Sequence, residues 1–267
     1  MKIAGQHTPF WGGQDGRFLH KIVTNYFHMK KKFIFSFVFL AVLYSCKKQG
    51  CTDPSANNWN PDAKKNNGIC KYTITDVEGN TYQGKAFGNQ IWMTENLAVK
   101  KYRNGDPIPQ VQDPSEWNNL TTGAWCYYDN DPTKGVLYNW YAVNDARKLA
   151  PAGYRIPNKG DWQGFIDFFS KDSLNAGEKI RASIGWENTY LGNGTNQSGF
   201  TALPMGRRHA DGPFGQFGEH AYWWSSTISD ASLEKAYYFD IDGWDNWVGI
   251  WHDASYSFGY SVRCIKE

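Results

Sequence analysis

Gly153-Tyr154-Arg155-Ile156-Pro157-Asn158-Lys159-Gly160-Asp161-Trp162 is the stretch on which the reading of this chain turns. Tyr154-Arg155-Ile156 reads as the end of a strand. Pro157 disfavours helix at Ile156, because its ring crowds the preceding backbone. Asn158 then stands at a helix N-cap, where a side-chain oxygen takes an otherwise unpaired backbone N–H. Trp162, Phe165, Ile166 and Phe169 follow at helical spacing, so the segment predicts strand, stop and a helix over residues 158–170. Its counterpart is the closing run Gly259-Tyr260-Ser261-Val262-Arg263-Cys264. That run reads as a final strand with Tyr260 and Val262 on one face and Arg263 pointing away.

Toward the N-terminus the chain changes character. Lys30-Lys31-Lys32 precede an apolar run from Phe33 to Leu43, which ends in Leu43-Tyr44-Ser45-Cys46. A basic start, an apolar core of about a dozen residues and a small residue before the cut describe a secretory signal over residues 29–45. The run falls short of the roughly 20 residues that a membrane-spanning helix needs. Leu-x-Ser-Cys resembles a bacterial lipobox, which places cleavage before Cys46, a lipid on its thiol and a linker over residues 46–50. An ordinary signal peptide cut near Ser45 is the alternative. Met29 directly precedes the lysines, so residues 1–28 read as an upstream extension outside the fold. The expectation is an exported protein, lipid-anchored to the bacterial cell envelope through Cys46, with the outer membrane as the expected site.

The whole sequence has 28 Lys and Arg against 26 Asp and Glu. Residues 1–45 hold six of the former and one of the latter, so the remainder has 22 basic and 25 acidic side chains, a net charge of −3. No basic cluster survives there to grip a phosphate backbone, and no nucleic-acid partner is expected. With Cys46 carrying lipid, Cys51, Cys70, Cys126 and Cys264 remain. An even number in an oxidising compartment points to two disulfides. Proximity favours Cys51–Cys70, which leaves Cys126–Cys264; free, buried thiols are the alternative for the second pair.

Residues 51–72 form a small disulfide-closed loop. Cys51-Thr52-Asp53-Pro54, Asn60-Pro61-Asp62 and Asn66-Asn67-Gly68 are turn signals, and Trp59 and Ile69 are nearly its only large apolar side chains. Asp53, Asn57, Asn60 and Asp62 are oxygen-rich, but they show no fixed calcium-ligand spacing, so turn formation is the better reading. Residues 73–267 form a β-rich domain. Thr81–Phe87 and Gln90–Asn96 predict a hairpin about Gly88-Asn89. A short strand follows at Trp125–Tyr128. Leu137, Tyr138, Tyr141, Ala142 and Ala146 recur at helical spacing, and Ala176–Ile184 predicts a short further helix. Strands are then expected at Phe200–Leu203, Tyr222–Ser226, Lys235–Asp240, Val248–Trp251 and Tyr260–Ile265. Beyond residue 45 the chain holds 12 Trp and 14 Tyr, rings that bury long loops while finding hydrogen-bond partners.

Thr81-Tyr82 through Trp92-Met93-Thr94-Glu95-Asn96-Leu97 resembles the opening of the Fibrobacter succinogenes major paralogous domain. The same holds for Tyr138-Asn139-Trp140-Tyr141-Ala142, Gly153–Pro157, Gly199-Phe200-Thr201-Ala202-Leu203-Pro204, Trp223-Trp224-Ser225-Ser226-Thr227 and Gly259–Cys264. The resemblance spans about residues 74–266. More distantly, these landmarks are similar to formylglycine-generating, sulfatase-modifying enzymes. The fold this implies is α+β and C-type-lectin-like: a twisted antiparallel sheet, two or three short helices and long structured loops.

The chemistry is expected to be non-catalytic. The formylglycine generators need two nearby thiols for copper, yet His252–Tyr260 holds no cysteine and Cys264 stands alone. Asp240 with Asp242, and Asp129 with Asp131, are i, i+2 carboxylate pairs of the kind common on solvated strands and turns. His209, His220 and His252 lack metal-ligand spacing, so neither metal nor cofactor is expected. The segment Asp240–Trp251 combines three tryptophans with carboxylates and amides, a composition suited to sugar rings or peptide side chains. Candidate ligand contacts are therefore Trp244, Asp242, Asp245, Trp247, Tyr256 and Arg207, with Arg208 and His209 as neighbours. Alternation along the strand expects Trp247 or Trp251 to be core. The expected partner is a carbohydrate or an envelope protein; a structural envelope component without a small ligand is the alternative.

Overall fold

The computed structural model describes residues 48–170, 175–187 and 189–267. The expected signal, the expected lipidation site at Cys46 and the expected upstream extension lie outside the described residues.

Strand outweighs helix, in two five-stranded sheets. The first runs in the order Tyr72–Thr75, Thr81–Phe87, Gln90–Met93, Ile265–Lys266 and Tyr154–Arg155, antiparallel throughout. Its central hairpin turns at Gly88, whose φ of 62° is the left-handed conformation that a two-residue turn favours. The second sheet runs Phe214–Phe217, Met205–Arg208, His220–Asp230, Lys235–Asp242 and Val248–Ser255. Val248–Ser255 is one of its two outer strands.

The opening decamer folds as its residues dictate. Tyr154–Arg155 is a strand and Lys159–Ser170 a helix. Asn158 Oδ1 accepts the Asp161 N–H at 2.9 Å, and Asp161 Oδ2 accepts the Asn158 N–H at 2.8 Å. This reciprocal cap satisfies two donors that a helix start leaves open. Asp161 also takes both terminal nitrogens of Arg155, tying strand to helix across the proline. Trp162, Phe165 and Phe169 are buried between the two sheets: Trp162 stacks on Phe239 of the second at 4.4 Å and an interplanar angle of 7°, and Phe165 and Phe169 pack on Phe87 of the first.

The closing run is a seam between the sheets. Tyr260 bridges to Tyr138, Gly259 to Arg208 and Ser261 to Trp223, and only Ile265–Lys266 is regular strand. Tyr260 and Val262 enter one core, with Tyr138, Trp140 and Trp224. Arg263 does point away, into the other core: its guanidinium lies 4.5 Å from the Phe200 ring and donates to Asn96 Oδ1 and to the carbonyls of Met93, Phe200 and Thr201.

Several expectations are corrected. Cys51–Cys70 is a disulfide, but Cys126 and Cys264 are free and buried. They belong to different apolar clusters, Cys126 with Trp117 and Leu137, Cys264 with Tyr82 and Met93. Burial pushes the Cys126 thiol up to about 11 and Cys264 higher still, which makes both inert. The helical spacing from Leu137 to Ala146 yields strand Val136–Tyr138 and only one helical turn, Trp140–Val143. Asn139 divides them, because its side chain caps Ala142 N and holds Ala124 N as well. Phe200–Leu203 forms no strand beyond a single bridge at Ala202.

Candidate functional site

The loop that joins Lys235–Asp242 to Val248–Ser255 is built by its own carboxylates. Asp242 Oδ1 accepts the N–H groups of Trp244 and Asp245 at 2.8 and 3.0 Å, and Asp245 Oδ1 accepts that of Trp247 at 2.6 Å. Such side-chain turns replace backbone pairing where the strand ends. Beneath the loop lies Arg181, almost fully buried, donating to the Asp242 and Asp245 carbonyls and to Asn246 Oδ1. Gly177 donates to the Asn246 carbonyl, and a Cβ there would lie 2.8 Å from that oxygen. Only glycine lets the Ala176–Ile180 helix come so close. The loop is therefore fixed from below before any ligand arrives.

What it presents is aromatic. Trp244, Trp247 and Trp251 are 53%, 67% and 46% exposed. The Trp247 and Trp251 rings lie 6.5 Å apart, tilted by 35°. Both rings face outward, which corrects the expectation that one would be core; bends at Gly243 to Asn246 break the alternation on which it rested. Trp251 Nε1 donates to Asp240 Oδ1 at 2.6 Å, which orients its ring. Neither Trp244 nor Trp247 spends its indole N–H on a described residue.

Behind Trp251 the second sheet carries a polar–aromatic face. Register pairs Tyr238 with Trp251, Tyr222 with Asp240, and His220 with Asp242. His220 stacks on Tyr222 at 5.4 Å and 2°, with its Nδ1 3.9 Å from Asp240 Oδ2. Arg207 lies over Tyr222 at 5.2 Å and over Phe258 at 5.4 Å. Two buried nitrogens of this face, Arg207 Nε and His220 Nδ1, have no hydrogen-bond partner. Both nitrogens lie below the accessible surface, so a ligand on this face would meet the rings rather than these atoms. Burial and the neighbouring Arg207 hold the His209 imidazole below its usual pKa.

The candidates thus separate. Trp244, Trp247 and Arg207 reach accessible surface, whereas Asp242 and Asp245 shape the loop. Tyr256 is removed from the set: it is 8% exposed and stacks on Trp140 at 4.1 Å, as core. Arg208 is likewise interior, holding the carbonyls of Val111, Gln112 and Gly212. His220, Tyr238 and the pairing of Asp240 with Trp251 escaped the ligand set, because they meet only through strand register. Alternation within His220-Ala221-Tyr222 and Tyr238-Phe239-Asp240 was the available signal. Among the described residues no group of three His, Cys, Asp or Glu side chains is placed to hold a metal ion, and no helix is long and apolar enough to cross a membrane.

Residues 86–266 match the family model of the Fibrobacter succinogenes major domain. The chain belongs to this family. Comparison with curated proteins and with solved structures found no match. In this Fibrobacter succinogenes major domain the second sheet and the tryptophan loop lie inside the matched span, whereas Tyr72–Thr75 and most of Thr81–Phe87 in the first sheet precede it.

Proposed function

We propose that this is a non-catalytic binding domain that holds a carbohydrate on the Trp244–Trp247–Trp251 rim, displayed at the cell envelope by the lipid on Cys46. The observation that carries the reading is the exposure of three tryptophans on a loop fixed by Arg181 and the strand it leads into, two of them with free indole donors. Flat ring faces stack on the apolar faces of sugars, while indole N–H groups and carboxylates serve hydroxyls. A loop ordered in advance loses less entropy on binding. The lectin-like reading of the fold belongs to the same proposal, supported by twisted antiparallel strands, short helices and long loops.

The test is an array of envelope polysaccharide fragments probed with the full-length chain, then titration of each hit against Trp247→Ala and Trp251→Ala. A loss of about thirtyfold or more, the scale of a hot-spot residue, is expected for both variants. Hits that bind both variants as tightly as the parent would refute the site.

A structural envelope role is the second reading. Val248–Ser255 forms the sheet's edge, and its open side is suited to a partner's strand. Soluble glycan competing the chain off purified envelope would decide for carbohydrate; failure to compete would decide for the protein partner.

A further inference from the structure

A pocket of about 440 Å³ opens beside the Tyr154–Arg155 strand and shares no residue with the tryptophan rim. Its size is in the range that small ligands occupy. Its floor is apolar: Val143, Leu149, Ala150 and Ile156 are all buried. Its rim is polar and charged, with Arg103, Lys148 and Arg155 on one side of the balance and Asp145 and Glu267 on the other.

Most of these charges are spent. Arg103 donates to the carbonyls of Ala150, Pro151 and Tyr154 and lies 3.7 Å from Glu267. Arg155 is matched by Asp161, and Asp145 by Arg147. Lys148 is exposed at the mouth of the pocket, and its ammonium has no partner among the described residues. Its backbone is also unusual. Lys148 has a φ of 64°, a left-handed conformation that a long side chain rarely adopts. Hydrogen bonds hold it there from both ends: its N–H donates to the Asp145 carbonyl at 2.9 Å, and its carbonyl accepts the Arg103 N–H at 2.8 Å. Backbone strain of this kind persists where the surroundings over-determine it, and such positions cluster at binding sites.

We infer that this pocket is a binding site for a small amphipathic anion, whose apolar body rests on Val143, Leu149 and Ile156 and whose carboxylate pairs with Lys148. The single unmatched positive charge selects an anion over a neutral sugar or a cation. The apolar floor selects a ligand with a hydrocarbon or aromatic body over a free inorganic ion. Tyr154 and Asn144 at the rim add polar groups that fix orientation.

The experiment is amide NMR titration of the full-length chain with phenylacetate, and with the isosteric but uncharged phenylacetamide. Saturable shifts confined to Asn144–Ile156 are expected with phenylacetate, and phenylacetamide should bind about tenfold more weakly or worse, the scale of one charged hydrogen bond. Lys148→Gly removes the ammonium while suiting the left-handed backbone, and Lys148→Gln keeps the side chain's length. Both should lose the same factor and leave phenylacetamide binding unchanged. Absence of saturable shifts in that segment would overturn the site. Equal affinity for the two probes, or for parent and both variants, would overturn the role of Lys148.

Discussion

Trp162 and Trp247 carry the same indole into opposite surroundings. Trp162 belongs to a set of eight buried tryptophans, with Trp92, Trp117, Trp125, Trp140, Trp186, Trp223 and Trp224. Each of the eight donates its indole N–H within the protein: to Gln90, Ser257, Ile108, Ser225, Trp224, Ala202, Asn96 and Tyr138 when taken from Trp92, Trp117, Trp125, Trp140, Trp162, Trp186, Trp223 and Trp224 in turn. At the rim, Trp244 and Trp247 keep theirs, and Trp251 gives its own to Asp240. The difference teaches what aromatic richness is for. Inside, the ring fills volume and its one polar atom is satisfied at a backbone carbonyl or a side-chain amide of the protein itself. Outside, Trp244 and Trp247 leave both ring face and donor exposed, and Trp251 leaves its ring face.

The largest effect that would break this contrast is on stability. Trp162→Ala removes the ring stacked on Phe239 and leaves the Trp224 carbonyl without its donor, and should cost about 3–5 kcal/mol in chemical denaturation. A cost near zero would mean that the interior rings are not the core described. Arg181→Met comes next. It strips donors from the carbonyls of Asp242 and Asp245, with an expected loss of about 1–3 kcal/mol and faster hydrogen exchange at Trp244 to Trp247. Unchanged exchange there would show that the loop holds itself. Trp247→Ala should shift stability by no more than about 0.5 kcal/mol, as expected of an exposed side chain, and a larger change would move Trp247 into the interior set. The smallest effect is a reactivity that should be absent. Cys126 and Cys264 should resist iodoacetamide at pH 8 until the chain unfolds, since burial holds both thiols protonated and inaccessible. Labelling of native protein would show that the interior opens.

Local physics was legible in the residues and long-range register was not. Pro157, the Asn158 cap and the Trp162–Phe169 spacing act within a few residues of themselves, so strand, stop and helix could be read directly. The Gly88 hairpin and the Cys51–Cys70 loop were readable for the same reason. Leu137 to Ala146 misled because apolar residues at helical spacing also occur where a strand meets a single turn, and Asn139 was the capping residue that marked the break. Cysteine parity misled because it counts thiols without placing them; Cys126 and Cys264 enter different clusters. At the site, the Trp244–Trp251 segment was visible as composition. Its underpinning by Arg181, and the sheet face of His220, Tyr222, Tyr238 and Asp240, depend on strand pairing and on contacts across more than sixty residues, about which spacing along the chain is silent.

The most direct test of the contrast is fluorine NMR of the full-length chain labelled with 5-fluorotryptophan, titrated with oligosaccharides released from purified envelope. Resonances of Trp244, Trp247 and Trp251, assigned through single Trp→Phe variants, should shift and saturate together while those of the eight interior tryptophans stay in place. Resonances at the rim that do not move, while the chain binds the same oligosaccharides, would contradict the assignment of this edge as the binding surface.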